Sequence, residues 1–150
     1  MIFLAALAFA CLSSEDTFSQ DETRDWSMPE RAVIQRLNGQ WKCETMIRAG
    51  QERAAPDGKL IALSFDEKGM KYFGDVLPQP QPQWTIERIT PDSSRVDLVS
   101  EFGDRTYRQS LVHQDGKVYV YSTIPASDKL PAKLEVGEEC HVLVMTPMKK

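Results

Sequence analysis

The eight residues LNGQWKCE (37–44) mark the point where a helical pattern gives way to a strand pattern. Upstream, a Ser-x-x-Glu capping box at residues 27–30 starts a helix. The pair Asn38-Gly39 ends it, because both residues tolerate a left-handed backbone. From Trp41 onward, apolar and polar residues alternate with a period of two, which predicts a half-buried first strand. The residues that share its inward face are Trp41, Cys43, Thr45 and Ile47.

The rest of the chain alternates between strand-like segments and turns. Asp115-Gly116 is a strong hairpin signal, and the proline-rich residues 78–82 cannot pair within a sheet. Short turns favour antiparallel pairing, and eight strands can close into a barrel whose first and last strands are neighbours. We predict an all-β, eight-stranded antiparallel up-and-down barrel with a short N-terminal helix; a two-layer sandwich is the alternative. The predicted strands cover residues 41–47, 59–65, 70–76, 83–89, 95–102, 105–113, 117–124 and 139–146.

Length and composition exclude some classes of protein. The chain has 150 residues, enough for one ordinary domain, and its hydrophobic share of 41% suits a small core. Its formal net charge is −4. A nucleic-acid-binding protein needs a basic face that displaces counterions, so the acidic balance argues against nucleic acid as a partner. It also argues against adhesion to an anionic membrane surface by charge.

The first ten residues, MIFLAALAFA, contain no charged or hydrogen-bonding side chain. They are too few to span a bilayer, which takes about 20 apolar residues, but they match the apolar region of a signal peptide. Residues 8–10 form the small-x-small pattern that precedes a cleavage site. We therefore predict a signal peptide at residues 1–10, a flexible acidic tether at 11–26 and a barrel domain at 27–147.

Cys11 follows the predicted signal peptide directly. A cysteine at this position resembles the lipobox of bacterial lipoproteins, in which the cysteine is lipidated and becomes the mature N-terminus. This resemblance predicts lipid attachment at Cys11 and a protein tethered to the bacterial cell envelope, with the lipid as its contact with the membrane. The alternative is cleavage after Ala10 without lipidation, which gives a secreted or periplasmic protein.

Cys43 and Cys140 are the remaining cysteines, and an oxidising compartment makes them candidates for a disulfide. They lie on the first and last predicted strands, which are neighbours in a closed barrel. A bridge there would stabilise the fold by up to about 4.7 kcal/mol, because it closes most of the domain into one loop. The alternative is two separate buried thiols, which pack as small hydrophobic side chains.

The helix, the Leu-x-Gly-x-Trp motif and the antiparallel meander together resemble the start of lipocalins. More narrowly, the chain resembles a lipocalin-like family of uncharacterised bacterial secreted and lipid-anchored proteins, over about residues 30–147. It departs from that family at Leu130-Pro131, where Arg-Pro is common. The resemblance implies a lipocalin-like barrel and an envelope location, and it implies no known activity. The matching features are the Leu-x-Gly-x-Trp-Lys start, Gly58-Lys59, Val96-Asp97-Leu98, Tyr107 and Asp115-Gly116.

Motifs for catalysis are absent from the sequence, which has no Gly-rich phosphate loop, nucleophile elbow or metalloprotease motif. His113 and His141 are the two histidines, and no third ligand for a shared metal is evident. Asp97 alternates with apolar neighbours, so we expect it to point outward into solvent. We accordingly predict no enzyme activity, no catalytic residues, no metal site and no cofactor.

Aromatic residues recur on several predicted strands and are the candidates for ligand binding. Inward-facing rings with polar tips would line a small apolar pocket in the barrel. The alternative is ordinary core filling in a barrel too narrow to leave a void. The ligand-binding candidates are Trp41, Tyr72, Trp84, Tyr107 and Tyr119, with Tyr121 as a further member of the aromatic set.

Two functions remain as alternatives. The first is a lipocalin-like envelope protein that binds a small apolar or amphipathic ligand inside the barrel. The second is a non-catalytic envelope interaction or structural module with a filled core. A small hydrophobic ligand is the expected partner, and the sequence names no protein partner.

Overall fold

The computed structural model describes residues 24–75, 77, 80–123, 129–130, 134–137 and 139–148. The predicted signal peptide, Cys11 and most of the predicted tether lie outside these residues. The described part of the chain forms one helix, one 3-10 turn (Pro91–Ser93) and nine strands. The helix α1 spans Met28–Leu37, and the strands are β1 (Gly39–Arg48), β2 (Gln51–Ala54), β3 (Ile61–Asp66), β4 (Gly69–Gly74), β5 (Thr85–Thr90), β6 (Arg95–Phe102), β7 (Arg105–Gln114), β8 (Lys117–Thr123) and β9 (Cys140–Pro147).

Eight of these strands form a nearly closed antiparallel barrel. Their order around it is β4-β3-β1-β9-β8-β7-β6-β5. The two ends of that order meet where the backbones of Met70 and Trp84 exchange hydrogen bonds of 2.8 and 2.9 Å. The predicted eight-stranded barrel with a short N-terminal helix is therefore confirmed, and β1 and β9 are neighbours as expected.

The strand β2 has no counterpart in the sequence prediction. It pairs with the second half of β1, outside the barrel order, and all four of its residues are exposed. Because none of them is buried, no apolar alternation reveals the strand. It forms because β1 extends past its partner β3, and Ala49 and Gly50 turn the chain back with positive φ angles of 52° and 79°.

The helix α1 begins and ends close to the predicted positions. The backbone N–H of Glu30 donates to Ser27 Oγ at 3.3 Å, and the N–H of Ser27 donates to the Glu30 carboxylate at 2.9 Å, which confirms the capping box. At the other end, Asn38 keeps an extended backbone (φ −59°, ψ 130°), while Gly39 has a φ of 127°. The change of direction therefore needs glycine at position 39 and not at both positions.

A β-bulge at Glu44 changes which residues of β1 face inward. Cys43 and Thr45, on either side of it, pair with consecutive residues of β9. The extra residue shifts the alternation by one position, so Met46 packs against the core and Thr45 turns outward. The prediction that Thr45 and Ile47 share the face of Cys43 is therefore wrong beyond the bulge.

The folded domain already includes Arg24, three residues before the predicted boundary. Its guanidinium donates to the backbone carbonyls of Ile86 at 2.7 Å and Glu87 at 3.0 Å. It also lies 4.2 Å from the ring centre of Trp26, which packs partly buried against the core. The prediction of a flexible tether up to residue 26 is therefore wrong for Arg24 and Trp26, because these contacts attach them to the barrel.

Cys43 and Cys140 lie on neighbouring strands without forming a disulfide. Cys43 is opposite Met145, and Cys140 lies five residues from Met145 along β9, a distance of roughly 17 Å. A disulfide needs Cα atoms roughly 4.4–6.8 Å apart. The thiols also face opposite ways, since Cys43 belongs to the barrel core and Cys140 lies on the outer face. The predicted disulfide is therefore wrong, and both residues are separate buried thiols.

Asp97 points outward, as expected, but it is not solvated. It is 8% exposed. Ser110 Oγ donates to its carboxylate at 2.5 Å and Arg95 Nε at 2.7 Å, with Arg88 Nε 3.9 Å away. The prediction of a solvated Asp97 is therefore wrong, because cross-strand pairing places Arg88 and Ser110 on either side of it. These partners offset the unfavourable burial of a charge.

Candidate functional site at the open end of the barrel

The end of the barrel beside α1 is closed by packed side chains. Val33 and Leu37 of the helix are fully buried against the core. Trp41 lies beneath the end of the helix, is 6% exposed and donates from Nε1–H to Leu37 O at 2.8 Å. Its ring meets the ring of His113 edge-on, with centroids 6.0 Å apart. Trp41 therefore plugs this end of the barrel beneath the helix.

Cross-strand pairs define rows of inward-facing side chains around the barrel wall. One of these, which we call the apolar row, crosses β6, β7, β8, β9 and β1 through consecutive pairs. Its members on β6, β7 and β8 are almost fully buried. Those on β9 and β1 are partly buried at the edge of the core. The apolar row consists of Val96, Leu111, Val120, Leu143 and Met46.

The next row toward the open end is polar on four of these strands. His141 pairs with Ser122 on one side and with Arg48 on the other. Gln109 lies beside Ser122, because the residues next to them, on β7 and β8, are paired. The wall thus changes from hydrocarbon to hydrogen-bonding groups within two residues, or about 7 Å. We call the set of Gln109, Ser122, His141 and Arg48 the polar row.

Tyr72 reaches the polar row from β4, on another part of the wall. Its hydroxyl donates to Gln109 Oε1 at 2.6 Å. Burial raises the pKa of Tyr72 well above its usual value, so the phenol stays protonated at neutral pH and remains a donor. Burial likewise raises the pKa of the Cys43 thiol. The bond between Tyr72 and Gln109 joins two separate parts of the barrel wall at this end.

His141 contributes an unpaired atom to the polar row. Its Nε2 is buried and has no hydrogen-bond partner among the described residues. Burial, and after it the nearby charge of Arg48, lowers the pKa of His141 below its usual value of 6.5. The imidazole is therefore neutral at neutral pH, and its free nitrogen can take part in one more hydrogen bond.

The rim of the open end carries exposed apolar and cationic side chains. Phe102, at the end of β6, is 61% exposed and pairs with Arg105 across the β6–β7 turn. Tyr107, the next inward position of β7, packs partly buried against the core. Val136, just before β9, is 50% exposed. The open end therefore combines apolar surface with a small number of polar groups, as small-molecule sites do.

The five aromatic candidates from the sequence divide into three groups. Trp41 and Trp84 are core residues, 6% and 8% exposed. Tyr72 and Tyr107 lie at the open end and are partly buried. Tyr119 lies on the outer face of β8, since both of its neighbours on that strand belong to the core. The inward placement predicted for Tyr119 is therefore wrong, and it lines no part of the interior.

Sequence reasoning assigned no ligand-binding role to several residues of the open end. For Gln109 a signal existed, because it alternates with Tyr107 and Leu111 on one strand. For Met46 and Arg48 there was none, since the bulge in β1 reverses the alternation without a sequence mark. The residues missed are Met46, Arg48, Gln109, Ser122, His141 and Leu143.

A second surface feature lies at the closed end. It is a groove of about 310 Å³ between α1 and the turn from β3 to β4. It mixes charges of both signs with helix side chains and is separated from the polar row by the packed core. The groove is lined by Ile34, Gln35, Asn38, Asp66, Glu67 and Lys68.

Comparisons with protein-family models, with curated proteins and with solved structures found no match for this chain. Among the residues that the structure describes, no helix has the length and apolar character needed to cross a membrane. The same residues contain no group of three His, Cys, Asp or Glu side chains placed to hold a metal ion. The functional argument therefore rests on the geometry of the open end.

Proposed function

We propose that this protein is a lipocalin-like binding protein of the bacterial cell envelope, and that it holds a small apolar or amphipathic ligand at the open end of its barrel. One observation carries the proposal, namely the contrast in burial between the two ends. Val33, Leu37 and Trp41 at the closed end are almost fully buried, whereas Met46, Tyr72, Tyr107 and Leu143 stay partly accessible. Apolar lining beside a few fixed polar groups is typical of ligand sites.

The order of the two rows favours one orientation of a bound molecule. Met46 and Leu143 offer hydrocarbon at the level of the apolar row. One step closer to solvent, His141 and Gln109 offer hydrogen-bonding groups. A ligand therefore binds with its apolar part inward, toward Met46 and Leu143.

Titration with N-phenyl-1-naphthylamine, an uncharged dye that fluoresces when shielded from water, tests the proposal. We expect saturable binding by the wild-type protein. The variants Met46→Gln and Leu143→Gln each place a polar amide on the apolar lining and should lose about ten-fold in affinity, which corresponds to roughly 1.4 kcal/mol.

The matched control is Ile47→Gln, because Ile47 follows Met46 on β1 and faces outward. This variant should bind the dye as the wild type does. The proposal is contradicted if the wild type shows no saturable binding, or if Ile47→Gln loses as much affinity as Met46→Gln. Circular dichroism of each variant checks that the barrel still forms.

A second function, a non-catalytic interaction module, is favoured by the exposed ring of Phe102 at the rim. Aromatic residues often dominate the binding energy of protein interfaces. This function predicts that Phe102→Ser abolishes capture of a partner from an envelope extract, while the wild type binds no dye. Saturable dye binding together with unchanged capture by Phe102→Ser excludes it.

We also propose that Cys11, outside the described residues, carries the lipid that anchors the protein. The support is its position directly after the apolar residues 1–10. Mass spectrometry of the mature N-terminus should find Cys11 as the first residue with attached acyl chains, and Cys11→Ala should move to the soluble fraction. An unmodified Cys11 at the mature N-terminus would instead indicate plain secretion.

A further inference from the structure

The inward face of the barrel carries no acidic side chain on the described strands. The whole chain has 22 Asp and Glu against 18 Lys and Arg. Yet the strand positions that cross-strand pairing places on the inward face carry no Asp or Glu in the described part of the chain. Their charged residues are Arg48, Arg105 and, on the β2 extension, Arg53. The charge of the inward face is thus opposite to the charge of the molecule.

Glu87 and Asp97 instead pair with cations on the outer face. Arg108 Nη2 lies 3.0 Å from Glu87 Oε2, and Arg95 Nε lies 2.7 Å from Asp97 Oδ1. Such pairs hold negative charge away from the interior. Arginines at the open end consequently face the interior with no carboxylate on the same face of the described strands.

The inward-facing charge of Arg48 lies in the polar row of the barrel wall. Arg48 ends the polar row, exposed at the mouth, beside His141 on the next strand. His141 Nε2 has no partner among the described residues, and leaving a buried polar atom unpaired is unfavourable. Arg105 stands at the rim of β7. An oxygen anion at the level of the polar row would meet the guanidinium of Arg48 and a free imidazole nitrogen together.

We propose that the ligand of the open end is an amphiphile with an anionic oxygen head group, such as a carboxylate, which Arg48 and Arg105 bind at the mouth. This inference rests on the proposed function and names its ligand class. The planar guanidinium matches a carboxylate in charge and geometry, and the hydrocarbon part lies toward Met46 and Leu143. A cationic amphiphile is disfavoured because it would face arginines, and the described strands offer it no inward carboxylate.

Three amphiphiles of equal chain length test the inference: dodecanoate, dodecanol and dodecyltrimethylammonium, each used below its aggregation concentration. Each is titrated against protein loaded with N-phenyl-1-naphthylamine, and displacement gives its affinity. We expect dodecanoate to bind about ten-fold more tightly than dodecanol, as one charge-assisted hydrogen bond would provide. The cationic amphiphile should bind most weakly of the three.

Charge-removing variants identify the residues responsible. Arg48→Gln and Arg105→Gln should each reduce the preference for dodecanoate over dodecanol, and the double variant should abolish it. Lys42→Gln is the matched control, because it removes one positive charge from the outward, exposed side of the same strand β1. It should keep the wild-type preference.

The outcomes separate this inference from the proposed function. Equal affinity for dodecanoate and dodecanol overturns the anionic ligand class while the binding function stands. An unchanged preference in the double variant, or an equal loss in Lys42→Gln, also overturns the inference. Failure of all three amphiphiles to displace the dye, with no saturable binding of the dye itself, overturns the proposed function as well.

Discussion

At the scale of single residues, Trp41 connects the helix to the barrel in two ways. Its ring fills the closed end and contacts His113 edge-on, and its indole N–H donates to the last carbonyl of the helix, that of Leu37. The last carbonyls of a helix have no partner within it, so the bond satisfies a group that burial would otherwise leave unpaired. The Leu-x-Gly-x-Trp spacing therefore has a structural reason that is independent of ligand binding.

The variant Trp41→Phe keeps an aromatic ring and removes this donor. We expect a loss of about 1–3 kcal/mol in the free energy of unfolding, because the carbonyl of Leu37 is left buried and unpaired. Urea denaturation followed by circular dichroism measures it. The control Phe102→Leu changes an exposed ring and should stay within about 0.5 kcal/mol of wild type; a similar loss in both variants contradicts the assigned role.

The free energy of unfolding depends on pH through the protonation of His141. Its pKa is lowered in the folded protein by burial and by Arg48, so the unfolded chain takes up a proton at this residue at higher pH than the folded chain does. Stability from this residue is therefore present above the usual pKa of 6.5 and lost as the pH falls from there toward the lowered folded value.

Urea midpoints measured across this pH range test the effect, with His141→Gln as the comparison. The wild type should lose stability on acidification more steeply than the variant, because the variant has no proton to bind at this position. Parallel profiles for the two proteins would show that the environment of His141 does not oppose its protonation.

At the scale of elements, the seam between β4 and β5 is joined differently from the other strand pairs. Among the described residues, Met70 and Trp84 form the bridge between these strands. Farther along β5, Arg24 donates to the carbonyls of Ile86 and Glu87, and α1 packs against β3 and β5. The N-terminal segment therefore takes over part of the closure that strand pairing provides elsewhere.

Gly69→Ala should open this seam. Gly69 has a φ of 135°, and an added Cβ would collide with the carbonyl of Trp84 that accepts the bridge hydrogen bond from Met70. Strain and loss of the bridge together should cost at least about 3 kcal/mol of unfolding free energy. Thermal and urea unfolding measure it.

The matched control is Gly103→Ala. Gly103 also has a positive φ, 65°, but its added Cβ would meet no atom within 4 Å. This variant should lose only about 1–2 kcal/mol of unfolding free energy, because alanine adopts a left-handed backbone less readily than glycine. Equal losses in the two variants would mean that the backbone angle, and not the seam, decides the effect.

At the scale of the whole molecule, the barrel holds its first and last strands together by hydrogen bonds and not by a covalent link. Cys43 faces the core and Cys140 the outside, on neighbouring strands. We therefore expect the variant Cys11→Ser, which keeps the other two cysteines, to unfold at the same temperature with and without a reducing agent. Titration of thiols in denaturant without reductant should find both cysteines free; a single missing pair of thiols contradicts this.

Much of this fold could be predicted from local patterns, since each pattern reports a local cause. The capping box at residues 27–30, the reversal at Gly39 and the hairpin signal at Asp115-Gly116 act within a few residues of themselves. Alternation along a single strand likewise indicates which residues share a face, as for Tyr107 and Leu111.

The candidate site was less predictable, because it depends on pairing between distant segments. The bulge at Glu44 decides that Met46 and Arg48 face inward, and only the register against β9 reveals it. Asp97 is buried because Arg88 and Ser110 flank it on other strands. Neither the inward placement of Met46 and Arg48 nor the burial of Asp97 can be recognised from one strand alone.

The sequence by itself determined the kind of structure: a capped helix, a glycine turn and short strands whose number and turns suit a barrel. Tertiary structure alone decided which end the helix closes, that His141, Arg48 and Gln109 share one row, and that Cys43 and Cys140 stay apart. The physical reason is the distance along the chain over which each feature is determined. Turns and alternation arise from neighbouring residues, whereas a row around a barrel exists only once the register of every strand pair is set.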